Sequence, residues 1–196
     1  MFDNKLCAAG CGKPAITGHN LCFTHLAVPE QEIKRICVYI SENKTLKNLN
    51  VSGMRFENID FSTRHFYGCN FKEASFADCN FSEAKFRMSF FDFSNFTNCN
   101  FSKTDLQFLS FAGAGINSCD FSWSDVEHVN FEGAVITDSS FNNSNLYNSR
   151  FISAVLTKTT FVNCNLKRVN YINAKLNEVL FKSSNTAEAV MELEEQ

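Results

Sequence analysis

Large apolar residues recur at every fifth position from Leu46 to Phe181. The series runs Leu46, Val51, Phe56, Phe61, Phe66, Phe71, Phe76, Phe81 and onward through Phe141, Phe161, Tyr171 and Leu176, and its register never slips. A helix repeats every 3.6 residues and a strand every 2, so neither explains a period of five by itself. Two places before each centre the residue is mostly small: Cys69, Ala74, Cys79, Ala84, Ser89, Ser94, Cys99, Thr104. In extended backbone two such positions point to the same side. That side is interior, because rings at this density cannot all face water. The other three positions are mainly Asn, Ser, Asp, Lys, Glu and Thr, suited to turns and solvent.

The pattern predicts a solenoid with short, straight sides. From Phe101 the centres alternate ring and aliphatic (Phe101, Leu106, Phe111, Ile116, Phe121, Val126), so the number of sides per turn is even. Two sides enclose nothing, and four sides place Phe61, Phe81, Phe101, Phe121, Phe141, Phe161 and Phe181 in one column. Val51, Phe71, Phe91, Phe111, Phe131, Phe151 and Tyr171 form the column opposite. The 28 centres then make seven turns, roughly 34 Å at the strand spacing of about 4.8 Å. Arg64 stands in a small-residue slot, where burying its charge would be costly.

Units such as "CNFKEASFADCNFSEAKF" resemble the pentapeptide-repeat family. The resemblance covers residues 46–181 and implies a right-handed quadrilateral β-helix, an all-β solenoid. Some bacterial members resemble B-form DNA in shape and charge and bind DNA gyrase or topoisomerase IV. It therefore implies a protein-interaction role with gyrase or topoisomerase as a candidate partner, and a homodimer through the C-terminal end. Loops that break the repeat in some gyrase-protecting relatives have no counterpart in this chain.

Charge tests the DNA-mimic idea. The net charge is −3, so no general attraction to nucleic acid or anionic membrane is expected. Between 73 and 138 there are ten acids and three bases; from 139 to 177 there are no acids and five bases. Folded into 20-residue turns, the acids form a girdle, within which Asp92, Asp105, Asp125, Glu127 and Glu132 are the candidate partner-binding residues. Solvated turn positions that keep a solenoid soluble account for the same pattern.

Residues 1–27 fall outside the rhythm and read as a zinc-knuckle-like module. Cys7 and Cys11 form one close pair, Cys22 and His25 another, joined by a short loop. Three thiolates and an imidazole at this spacing suit a tetrahedral structural Zn2+, with His19 as the substitute ligand. Gly10, Gly12 and Gly18 permit the turns that bring the ligands inward. So short a segment folds on metal binding rather than on its own core. "CAAGCGKPAITGHNLCFTH" is also similar to small zinc-knuckle segments of bacterial and plant proteins, a likeness that implies zinc and no particular function. With two bases, Lys5 and Lys13, and no aromatic stack, the module does not read as a nucleic-acid finger.

Residues 28–45 predict a capping helix and linker, with Pro29 at the first position and an Ile33, Ile36, Cys37, Ile40 stripe lying over the first turn. The β-helix spans 46–182, and 183–196 predict a short C-terminal helix and tail opening at Asn185. Nine cysteines, with no export signal or long apolar run, read as reduced thiols in a soluble cytoplasmic chain. Those on the inner wall (Cys69, Cys79, Cys99, Cys119, Cys164) read as small buried apolar residues. His65 and His128 read as surface. With no phosphate loop, nucleophile elbow or His-Glu-x-x-His pattern, and rings filling the core, the chain is not expected to be an enzyme. Two functional readings stay open: the DNA-mimicking gyrase or topoisomerase binder, and a scaffold or targeting protein in which the zinc knuckle docks a partner and the solenoid is a rigid spacer.

Overall fold

A computed structural model of the chain describes residues 5–191. Its body is a parallel β-solenoid with four faces per turn. The first face carries β1 (Thr45–Lys47), β3 (His65–Tyr67), β5 (Lys85–Arg87), β7 (Asp105–Gln107) and β9 (Asp125–Glu127). The third carries β2 (Arg55–Glu57), β4 (Ser75–Ala77), β6 (Asn95–Thr97), β8 (Gly115–Asn117), β10 (Val135–Thr137), β11 (Val155–Thr157) and β12 (Lys175–Asn177). The second and fourth faces are rows of single bridges, such as Asn70 to Phe90 and Asn80 to Asn100. Every pairing within the solenoid joins residues 20 apart, as Phe76 to Phe96 and Leu106 to Val126.

The sequence unit is visible in each corner. The residue before the ring, typically Asn or Asp, accepts from the amide two places on: Ser82 N donates to Asn80 Oδ1 (3.1 Å) and Ser102 N to Asn100 Oδ1 (2.9 Å). This is an Asx-turn, which explains the amide or carboxylate at that slot. Two places after the ring, all 28 corner residues have positive φ, four of them glycine. Where Ala84 N donates to Phe81 O (3.0 Å) the corner is a type II-like turn, whose third residue requires that conformation. Serines in the small slot are buried but satisfied: Ser94 Oγ donates to Phe71 O (2.7 Å) and Ser144 Oγ to Phe121 O (2.7 Å).

Inside, the rings stack from turn to turn. Phe61, Phe81, Phe101 and Phe121 follow one another at 4.6, 4.4 and 4.5 Å, nearly parallel. Between columns the contacts are edge-on, as Phe131 to Phe141 at 5.8 Å and 87°. Both are favoured ring geometries. The later turns place Leu and Ile in the other columns, so rings meet across one axis, as the alternation predicts.

Helix α1 (Pro29–Glu42) covers the first turn with Ile36 and Ile40 buried, and Ile33 and Cys37 partly buried. Arg64 reaches out of its slot to this helix: Nε donates to Ile40 O (2.8 Å) and Nη2 to Ser41 O (3.1 Å). The guanidinium meets the negative helix end and satisfies its carbonyls.

At the other end the expected short helix is reduced to one 3-10 turn, Thr186–Glu188. The chain then returns to the solenoid path: Tyr171 N donates to Val190 O (2.7 Å) and Val190 N to Val169 O (2.8 Å). The five-residue period explains this: the 3-10 turn takes up the centre at Thr186, and Met191, two periods after Phe181, is back in register and packs against the core. Asn185 uses its side chain differently from a helix cap, accepting from Leu166 N (2.6 Å) and donating to Glu188 Oε1 (2.9 Å). The tail from 192 onward lies outside the described residues.

Candidate functional site: a Cys3His cluster and the outer faces

Residues 5–26 fold as a knuckle against the solenoid. Leu6 and Pro14 form an antiparallel bridge, with Cys7 N donating to Lys13 O (2.9 Å) and Ala15 N to Lys5 O (2.8 Å). Gly10 and Gly12 take positive φ in the intervening loop, which returns Cys11 beside Cys7. Cys22 and His25 are brought together by a 3-10 turn, Phe23–His25, which repeats every three residues and so aligns them.

All four predicted ligands converge. Sγ of Cys7 and of Cys22 each lie 3.4 Å from His25 Nδ1, and Cys11 Sγ lies 3.6 Å from Cys22 Sγ. The four donor atoms are all within 4.8 Å of one another, so the group could hold a metal ion. Cys7 and Cys22 are buried; Cys11 and His25 are exposed, leaving one side open to solvent. Hydrogen bonds from the Cys22 amide, and then from that of Ala9, hold the Cys7 thiol down to about 6 against burial. Burial, and then the Cys11 and Cys7 side chains, push Cys22 up. His19 takes no part: its Nδ1 accepts from Leu21 N (3.3 Å).

The knuckle is fastened to the first turns. Thr17 N donates to Asn50 O (2.9 Å), Asn50 N to Thr17 Oγ1 (2.7 Å), and Lys13 Nζ pairs with Glu73 (2.7 Å). Ile16 is buried in the common core, with Phe23 and Leu26 packed on it.

The five candidate acids lie on the first two faces and differ in their freedom. Asp92 is buried, pairs with Lys72 Nζ (2.9 Å) and accepts from Ser110 Oγ. Asp105 pairs with Arg87 (2.5 Å). Glu127 accepts from Asn145 Nδ2 (2.6 Å), which also reaches Asp125 at 3.2 Å. Asp125 and Glu132 are exposed. His65 and His128 lie on the outside; His128 stacks on Phe108 at 4.9 Å.

The outward apolar residues are a feature the interior rhythm conceals. Met88, Phe93, Phe108 and Trp123 are 62, 66, 58 and 64% exposed, and all stand in the positive-φ corner slot. The signal is present in the sequence, because the frame assigns that slot to solvent while the residues are large and apolar.

Sequence profiles described as "Pentapeptide repeat region" match residues 114–191, and those described as "Pentapeptide repeats (8 copies)" match 55–89, 74–107 and 94–133. The chain belongs to the pentapeptide-repeat family. No curated protein matches the sequence. Among solved structures it is similar to a trypsin-treated variant of QnrB1, a plasmid-mediated fluoroquinolone resistance protein, at 19% identity, covering 71% of this chain and 80% of that one, with a TM-score of 0.38. It is also similar to HetL of the cyanobacterium Nostoc sp. strain PCC 7120, involved in heterocyst differentiation regulation, at 15% identity over 85% and 98%, TM-score 0.30. A third is Rfr23 of the cyanobacterium Cyanothece 51142, at 16% identity over 80% and 98%, TM-score 0.23. Among the described residues, no helix is long and apolar enough to cross a membrane.

Proposed function

We propose that the chain is a non-catalytic protein-interaction module, a rigid spacer with a metal-supported head. The observation that carries this is the filled interior: rings stacked turn on turn leave the outer faces and the knuckle to carry function. The metal we assign is structural Zn2+ on Cys7, Cys11, Cys22 and His25. A tetrahedron with Zn–S of about 2.3 Å has S–S edges of roughly 3.7 Å, close to the 3.6 Å between Cys11 and Cys22. Affinity capture on the full chain, followed by reconstitution with the purified captured protein, tests the reading. A stoichiometric complex is expected; a chain that retains no partner overturns it.

The docking-scaffold form of this reading is better supported than the gyrase or topoisomerase IV mimic. A mimic needs free carboxylates, and Asp92 and Asp105 are neutralised by Lys72 and Arg87. The mimic reading retains Asp125 and Glu132. Purified gyrase decides it: unchanged supercoiling and drug sensitivity at about 10 μM chain, well above a typical specific Kd, removes that partner. We also propose that the C-terminal end can pair with a second copy, since Leu176, Leu180 and Val190 are exposed there.

A further inference from the structure

The corner between the first and second faces carries a groove of about 480 Å³, lined by Lys47, Tyr67, Gly68, Met88, Phe90 and Phe108. Three observations bear on it. Met88 and Phe108 hold φ of +50° and +57°, a conformation that Gly and Asn adopt readily and large side chains do not. They are also exposed, so these residues bear a backbone penalty and a solvation penalty together. Large apolar residues take that slot only at 88, 93, 108 and 123, in the middle turns; elsewhere it is Gly, His or a polar or charged residue.

Lys47 is the one charged residue that lines the groove. Lys47 stands at the end nearer the first turn, in the same row as Tyr67. The Lys72 ammonium lies 5.0 Å from the Phe90 ring centre, outside the lining, and its charge is met by Asp92 (2.9 Å). No carboxylate lines the groove. The free acids Asp125 and Glu132 lie beyond Phe108, toward the C-terminal end.

We infer that this groove docks a short extended segment of a partner protein, with apolar side chains seated on Met88, Phe90 and Phe108 and a carboxylate at the end facing Lys47. The inference rests on the interaction-module reading and names the surface that performs it. From Asn48 to Phe108 the corner spans three rungs, about 14 Å, which holds about four extended residues. Apolar anchors supply affinity, while Lys47 sets polarity and disfavours basic segments.

The test uses the full chain and fluorescein-labelled peptides of about nine residues, read by anisotropy. One peptide has glutamates ahead of a Leu/Phe core, a second has lysines in place of the glutamates, and a third keeps the glutamates with an Ala/Gly core. The first alone is expected to bind, at micromolar Kd, and several-fold more weakly when salt rises from about 50 to about 500 mM. Met88→Asn and Phe108→Asn are each expected to weaken it by about tenfold. Both variants put Asn where positions 48, 98 and 148 already have it, so Met88→Asn melts no lower than the parent. Trp123→Asn, on another corner, leaves binding unchanged. Failure of the first peptide to bind at about 1 mM, equal binding of all three, or insensitivity to Met88→Asn and Phe108→Asn overturns the inference. If the double variant still captures the partner that the parent captures, the groove is wrong and the interaction-module reading stands; if the parent captures nothing, that reading fails.

Discussion

Tyr171 stands in a column that reads Phe at 71, 91, 111, 131 and 151, and its hydroxyl is buried with no hydrogen-bond partner among the described residues. Burial pushes its pKa well above the ordinary phenol value. An unsatisfied buried hydroxyl costs about 1–3 kcal/mol. Tyr171→Phe is therefore expected to raise stability by about 1 kcal/mol, read as a higher urea midpoint at unchanged slope; a lower midpoint contradicts this. Arg64 gives the opposite sign. Arg64→Ala removes the donor to Ser41 O, leaves Ile40 O with only the long bond from Asn43 N (3.4 Å), and is expected to cost about 1–2 kcal/mol, discounted for the half-exposed site. The wall thiols define a third expectation. Burial pushes Cys69 up to about 11, and the Cys99 thiol and burial push Cys79 higher still. Under native conditions at pH 8 a thiol reagent should react first at the exposed Cys11 and spare the wall cysteines at 69, 79, 99, 119 and 164; rapid modification of all nine would overturn the buried-wall assignment. The inner slots could be read from sequence because one side of extended backbone meets one environment. Arg64 was legible as an exception, but its solution was not, because its acceptors lie 24 and 23 residues away on a helix.

Among elements, the knuckle has the least apolar support and depends most on its donors. With Cys11 and His25 exposed, a strong chelator has access to a bound ion. Chelation is expected to speed amide exchange at Ala8, Ile16 and His25, whose acceptors are Asn20, Leu21 and Cys22, and to leave Phe101 and Phe121 protected. Equal exchange with and without chelator would sever the head's fold from its metal. The cluster was legible because its ligands come as two close pairs whose spacing alone brings donors together. The groove was not read in advance. Its lining comes from positions 20 apart, and the eye trained on interior rings passes over an outward Phe. The C-terminal element differed from expectation for a similar reason: Asn185 and Glu188 look like a helix opening, but the register of five reclaims the chain at Val190.

At the scale of the molecule, each turn touches only its neighbours, so stability is close to a sum over turns and interfaces. The first turn is covered by α1 and the knuckle, whereas Leu176 and Leu180 on the last turn are exposed. Opening should therefore begin at the C-terminal end. Hydrogen exchange is expected to be faster at Leu180 than at Asn100, although both amides lie in bridge rows of the same face; the reverse order would place the weak end at the head. The four-faced repeat also makes chain length a dial. Inserting twenty residues would push the head about 4.8 Å farther from the tail and keep every face in line. Inserting five would leave the interior code readable but rotate everything downstream by a quarter turn, so that a partner gripping both the head and a later face would lose one of them. Inserting one would exchange inside for outside all the way to Met191. Lengthening such a chain without scrambling it is thus quantised, and orientation is written in the remainder.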